Sequence, residues 1–237
     1  MCGRYTLTSP ERAIREVLEG EEVSEEAARL TPRAGARQLL QMPRYNVAPT
    51  QEMPVVRRGG ELAFLRWGFR SVGTTLLINA RSETLRTKPS FRAAFKNRRC
   101  LVPADGFFEW TRGPRNTRQP WWIHAPDRRP FAFAGLWEDD LFTIVTCEAR
   151  GTIRELHDRM PVMLFDRPTR RAWLEAEGER LDALLEPRDP GLVFHPVTRE
   201  VNRNEFEDPR AVDPVELITA PEARPAPVQA SLFGPDF

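Results

Sequence analysis

The hydrophobic pattern changes character at about residue 53. Beyond it, apolar residues fall in short runs cut by Gly, Pro, Asn and Asp, as in strands bounded by turns. These runs predict strands at 53–56, 63–69, 76–81, 100–102, 106–110, 121–124, 131–135, 141–146, 162–165 and 193–197. Ahead of them, Ser9-Pro10-Glu11 places a capping residue before a proline at the first helical position, and Ile14, Val17 and Leu18 carry a helix to Gly20. A polar stretch of helical character follows over 21–41, broken near Pro32. Short helices are also predicted over 91–95, 152–156 and 168–174, the second opened by Thr152 and Glu155 at capping-box spacing and closed by Pro161. Many short strands with few helices between them predict an α+β fold. The expected architecture is a single domain on a curved, mainly antiparallel β-sheet or irregular barrel with flanking short helices. From Ala220 the chain is too rich in proline and too poor in periodic apolar residues to fold by itself, so residues 1–219 form the expected domain and 220–237 a disordered tail.

Composition narrows the functional classes. A length of 237 residues, 41% hydrophobic and 29% charged, suits a soluble globular domain with a substantial core. No apolar run reaches the ~18–20 residues of a membrane span, and the N-terminus lacks the layout of a signal peptide, which predicts a cytoplasmic protein. Three cysteines without a C-x-x-C pair, Cys2, Cys100 and Cys147, speak against a disulfide framework or a zinc site; the last two sit in apolar runs as small buried hydrophobes. No two of the three histidines have metal-ligand spacing, so no metal and no cofactor are expected. The net charge of +1 gives no global field for a polyanion, and any nucleic-acid contact must be local. Lys88 and Lys96 are the two lysines, both in polar surroundings; the remaining cations are arginines, whose forks suit phosphate.

Cys2 is the most reactive feature of the chain. Loss of Met1 would leave an α-amine and a thiol on adjacent carbons. An α-amine, with a pKa of about 7.7–8.0, is substantially more nucleophilic at neutral pH than a lysine at about 10.4. It can condense with an aldehyde to a Schiff base, which the neighbouring thiol can close to a thiazolidine ring.

Three further segments carry groups fit for chemistry. In the run from Leu77 to Glu83, strand alternation sets Asn79, Arg81 and Glu83 on one face, either a solvated surface or the wall of a polar site. In Phe107-Phe108-Glu109-Trp110, Glu109 shares a face with Phe107, and desolvation there would raise its pKa into the range of a general acid or base. The alternative is a strand-end carboxylate paired with an arginine. His157, beside Asp158 near the end of a short helix, is either structural or a proton carrier at neutral pH.

The motifs Cys2-Gly3-Arg4-Tyr5, Tyr45-Asn46-Val47-Ala48-Pro49, Trp67-Gly68, Ile78-Asn79-Ala80-Arg81-Ser82-Glu83-Thr84, Pro103-Ala104-Asp105-Gly106-Phe107-Phe108-Glu109-Trp110, Phe133-Ala134-Gly135-Leu136-Trp137 and His157-Asp158-Arg159-Met160-Pro161 occur in that order. Together they resemble the SOS-response-associated peptidase family, the abasic-site processing proteins, from residue 2 to about Asn204. The resemblance implies a monomer that senses abasic sites in single-stranded DNA and bonds covalently to their open-chain aldehyde through Cys2 after autocatalytic, peptidase-type removal of Met1, with lyase activity and a place at the nucleoid. It further implies that Asn79 holds the cysteine and the opened sugar, that Glu109 and His157 transfer protons, that Arg4 and Arg81 grip flanking phosphates, and that Trp67 stacks on bases. One departure is the short run Arg70-Ser71-Val72-Gly73-Thr74-Thr75, where the family usually carries a longer loop with a Pro-x-Trp.

Two other classes share parts of this signature. N-terminal-nucleophile amidohydrolases also begin Met-Cys-Gly, and a non-catalytic single-strand binding module would need only the arginines. The tail adds a partner: Gln229, Leu232 and Phe233 resemble the short peptide by which bacterial repair proteins dock on the replicative sliding clamp.

Overall fold

The computed structural model describes residues 2–18, 42–70, 75–112 and 117–217. The chain opens with strand β1 (Tyr5–Leu7) and helix α1 (Pro10–Leu18), then runs through β2 (Arg44–Val47), β3 (Glu52–Arg57), β4 (Leu62–Trp67), β5 (Phe69–Arg70), β6 (Leu76–Leu77) and β7 (Asn79–Arg81). Helix α2 (Pro89–Asn97) leads into β8 (Arg99–Ala104), β9 (Gly106–Arg112), β10 (Arg118–His124), β11 (Phe131–Glu138) and β12 (Leu141–Glu148). Short strands β13 (Arg159–Pro161) and β14 (Met163–Leu164), helices α3 (Arg167–Glu175) and α4 (Gly178–Leu185), and β15 (Val193–Pro196) complete the ordered elements.

The larger sheet closes on itself. Strand β12 pairs with β4, β4 with β3, β3 with β8, β8 with β11 and β11 again with β12. All of these pairings are antiparallel except β12 with β4. Beyond the ring, the far half of β12 pairs with β7 on one side and β13 on the other. A second, antiparallel sheet has the order β15-β10-β9-β1-β2. Its inner side chains, Tyr5, Phe107 and Ile123, join the barrel core with Phe133 and Trp67. Its outer side chains, Phe108 and Trp122, pack under the 3-10 turns of the chain's last described stretch, on Val197, Val201, Phe206 and Ala211.

Local sequence explains the helices. The Ser9 backbone carbonyl accepts the Ala13 amide at 2.8 Å at the start of α1, whose Ala13 and Val17 are buried one turn apart. In α2 a first-turn proline leads, and Phe91, Ala94 and Phe95 line the buried face. Asp166 caps α3 by accepting the Thr169 amide at 2.8 Å. Residues 152–156 depart from expectation: Gly151–Glu155 is a 3-10 helix without a side-chain cap. Thr152 is drawn away because its hydroxyl donates to the Leu192 carbonyl at 2.8 Å. The predicted strand 76–81 is also interrupted, β6 and β7 flanking Ile78, and the chain turns into a 3-10 helix at Ser82. The stretch 21–41, the 71–74 turn and the tail with Gln229, Leu232 and Phe233 lie outside the described residues. Among those described, no helix is long and apolar enough to cross a membrane.

Candidate active site

The N-terminal segment is held from three sides. Strand β1 lies between β2 and β9, with Tyr5 opposite Phe107 and Thr6 opposite Gly106. Asp105, in the tight link between β8 and β9, accepts from the Thr6 hydroxyl at 2.6 Å, the Thr8 amide at 2.6 Å, the Thr8 hydroxyl at 2.8 Å and the Ser9 amide at 3.3 Å. The Thr6 hydroxyl in turn accepts the Trp122 indole N–H at 3.2 Å. Gly106 is needed where this indole crosses the backbone, since a Cβ there would stand 2.3 Å from Trp122 Nε1. With β1 so clamped, its antiparallel register carries residues 2–4 alongside Phe108 and Glu109, and the Phe108 amide donates to the Arg4 carbonyl at 3.0 Å.

Cys2 is therefore enclosed. Its thiol has no solvent exposure and donates to the Arg4 carbonyl at 3.7 Å. Asn79, at the start of β7, donates its side-chain amide to the Cys2 carbonyl at 2.8 Å, while its own Oδ1 is buried without a hydrogen-bond donor. Burial, reinforced by the Glu109 carboxylate, pushes the Cys2 thiol far above its ordinary pKa.

Glu109 sits on β9 at 2% exposure. Burial raises its carboxyl pKa above the ordinary value, and the His157 imidazole pulls in the opposite direction. Glu109 thus couples electrostatically to both Cys2 and His157, although the three come from distant segments. His157 follows the 3-10 helix, its amide donating to the Ile153 carbonyl at 3.0 Å. Its Nδ1 lies 2.9 Å from the Arg159 amide and 2.7 Å from Asp158 Oδ1. One nitrogen cannot accept from the first and donate to the second at once. The first contact fits a ring with Nδ1 bare and the second a ring with Nδ1 protonated, so Nδ1 has a partner in either arrangement.

The family profile described as "SOS response associated peptidase (SRAP)" matches residues 1–204. The chain belongs to this family. Among its relatives, "Abasic site processing protein YoqW" of Bacillus subtilis is 33% identical over 236 residues, covering 90% of this chain and 99% of the relative. "Abasic site processing protein HMCES" of Rattus norvegicus is 27% identical, covering 94% of this chain and 79% of the relative. A crystal structure of a phage-related protein from Bordetella bronchiseptica, 30% identical, superposes with a TM-score of 0.63 over 83% of this chain and 94% of its own. A protein from Bacteroides thetaiotaomicron, at 22% identity and a TM-score of 0.68 over 91% of this chain and 100% of that one, shares the fold.

The SRAP resemblance drew attention to seven residues, and the structure sorts them. Cys2, Asn79, Glu109 and His157 converge. Arg81 is exposed at the end of β7 and, among the described residues, forms no ion pair. Arg4 departs from the expectation of a free phosphate grip. Its fork donates to Asn46 Oδ1 at 2.7 Å, to the Val201 carbonyl at 3.0 Å and to Asn204 Oδ1, so the guanidinium is committed to bracing the 201–204 turn. Trp67 cannot serve as a stacking surface. It is wholly buried, its ring edge-on to Tyr5 at 5.3 Å and parallel to Phe142 at 6.2 Å, with its N–H on the Ile78 carbonyl at 2.9 Å. Its place is beneath the site, as a wall that fixes the residue preceding Asn79. Glu83 also leaves the strand face: it pairs with Arg159, which reaches it through two nitrogens and also donates to the Thr146 carbonyl at 2.8 Å.

Sequence reasoning passed over Asp105 and Asn46. Asn46 is fully buried and splits its amide between Arg4 and the carbonyls of Val201 and Arg203. Both lie inside the quoted motifs, but a carboxylate in a turn and an amide in a strand give no sign of the distant backbone they tie down.

Proposed function

We propose that this protein recognises abasic sites in single-stranded DNA and joins them covalently through Cys2 once Met1 has been removed. The observation that carries this reading is the juxtaposition of an enclosed Cys2, an amide from Asn79 on its carbonyl, and a buried Glu109 whose carboxyl pKa is raised by that burial. The names of the abasic-site processing relatives support the choice of substrate.

The chemistry needs no oxidant. Hydrolysis of the Met1–Cys2 peptide bond consumes one water and frees the Cys2 amine. That amine adds to the C1′ aldehyde of the ring-opened sugar to give a carbinolamine. Glu109, whose burial favours the acid form, donates to the departing hydroxyl, and water leaves with formation of the imine. The Cys2 sulfur then adds to the imine carbon while the thiol proton passes to the nitrogen, closing a thiazolidine. Sugar and cysteine combine with net loss of one water. The vacant Oδ1 of Asn79 accepts from the amine or from a sugar hydroxyl, and His157 relays protons at the sugar.

The amidohydrolase reading requires Cys2 to attack as thiolate. Burial of the thiol opposes that ionisation, whereas amine attack does not depend on it. The test is incubation with single-stranded DNA bearing one abasic site, followed by SDS denaturation. An adduct lost in Cys2→Ala supports the reading; glutamine hydrolysis without an adduct would replace it with an amidohydrolase, and salt-sensitive binding with neither would leave a plain binder.

A further inference from the structure

An abasic-site protein has no base edge to read at the lesion, so its grip must come from the neighbouring nucleotides. The expected stacking residue, Trp67, is buried, and the 70–75 segment carries no aromatic residue. The inner face of the second sheet holds a different aromatic. In the antiparallel pairing of β9 with β10, Trp121 lies directly opposite Glu109, and Thr111 opposite Gln119. Opposed residues share a sheet face, with Cβ atoms about 4.5–5.5 Å apart. The shared face is confirmed by side-chain contact, since the Trp121 indole N–H donates to Thr111 Oγ1 at 2.8 Å and residues 109 and 111 are two apart on one strand.

This face changes from core to rim along its length. Phe107 and Ile123 are fully buried, Glu109 is at 2% exposure, and Thr111 and Trp121 are partly open. Trp121 is thus a partly open aromatic ring one strand across from the buried carboxylate. It is also held rigid: Phe194 meets it edge-on at 5.4 Å and 90°, while Thr111 fixes the indole nitrogen. A large ring immobilised beside a reactive centre loses little entropy when a flat partner settles on it.

We propose that Trp121 is a positioning residue of this site, the platform on which the nucleobase adjoining the abasic sugar stacks, fixing the opened aldehyde over Cys2. The proposal rests on the abasic-site reading. Its partner is one unpaired base of any identity, because every base offers a π-face.

The test is a cycle between the protein and the DNA. Affinity is measured for single-stranded oligonucleotides carrying the non-reactive tetrahydrofuran analogue, with the base on its 5′ or 3′ side present or deleted, using wild type, Trp121→Phe and Trp121→Leu. Leucine keeps apolar volume without a π-face, and thermal melting verifies that each variant is folded. Trp121→Leu is expected to weaken binding about 5- to 100-fold on the oligonucleotide with both neighbours. The loss should nearly vanish when one particular neighbour is deleted, and Trp121→Phe should retain most of the affinity. Equal loss on all oligonucleotides, or no loss, overturns the assignment. Adduct formation by wild type on a reactive abasic site is run in parallel. If a Cys2-dependent adduct forms and no coupling is seen, the stacking assignment alone fails; if no adduct forms, the functional reading beneath it fails.

Discussion

The side-chain amide of Asn79 holds the carbonyl oxygen of Cys2 at 2.8 Å, binding a strand of the barrel to the N-terminal segment. Asn79 is itself fixed by parallel pairing of β7 with β12, opposite Ile144, so the cysteine is referenced to the most heavily paired strand of the fold. Replacing Asn79 by Ala removes the tether and keeps the strand. Adduct formation at saturating DNA is expected to slow by about ten- to a hundredfold, the scale set by misplacing a reacting group by around an ångström. Affinity for DNA bearing the tetrahydrofuran analogue should change little. An equal loss in both measurements would make Asn79 a binding residue instead.

Glu109 predicts a pH signature. Its carboxyl pKa is raised in the folded protein, chiefly by burial, so the native state binds more protons at this site than the unfolded chain. Stability from this group is present at low pH and is lost as pH rises from the unfolded value, about 4.3, through the higher folded one. Glu109→Gln cannot ionise and should melt at higher temperature than wild type at neutral pH, by about 2–4 °C for each kcal/mol relieved, with the difference shrinking below about pH 4. Its adduct rate should fall strongly and lose the alkaline limb that deprotonation of the acid gives wild type. A melting temperature lower than wild type at pH 8 would show that the carboxylate is stabilising as an anion.

Part of this site was legible before any coordinates. The period-two pattern over 106–110 put Glu109 with Phe107 on one face and Phe108 with Trp110 on the other, and the two hydrophobic clusters divide along that line. Strands β1 and β2 were not legible as such, because Tyr5–Leu7 and Arg44–Val47 are short, partly polar and stabilised by neighbours distant in sequence. Trp67 was misjudged for a related reason. A tryptophan at a strand end looks the same whether its N–H meets solvent or, as here, the Ile78 carbonyl under Tyr5 and Phe142. Helix α4 escaped notice because it is short, its N-cap makes no side-chain hydrogen bond, and Leu181 is its one buried residue.

Asp105 acts through the N-terminal strand. Its four accepted hydrogen bonds come from residues 6, 8 and 9, and their loss would release the strand that delivers Cys2. Asp105→Ala is expected to destabilise the protein by about 3 kcal/mol, the range for buried hydrogen bonds to a charged acceptor, measured by urea unfolding. Asp105→Asn keeps an acceptor for the Thr6 hydroxyl and should cost less. A variant with unaltered stability would mean that β1 is held by its strand pairing with β2 and β9 alone.

The two arginines named with the cysteine should separate cleanly. Arg81 is exposed without an ion pair among the described residues, whereas Arg4 is braced by Asn46, Val201 and Asn204. A phosphate contact releases counterions, so Arg81→Ala should weaken single-strand binding and reduce the slope of log affinity against log salt by about 0.7, with no change in melting temperature. Arg4→Ala should instead lower the melting temperature, because it leaves the buried Asn46 amide oxygen without its donor and the Val201 carbonyl with the Asn46 amide alone. If Arg4→Ala reduced the salt slope as much as Arg81→Ala while leaving stability intact, its fork would have to leave the 201–204 turn to reach phosphate. The three hydrogen bonds that hold it on Asn46, Val201 and Asn204 argue against that movement.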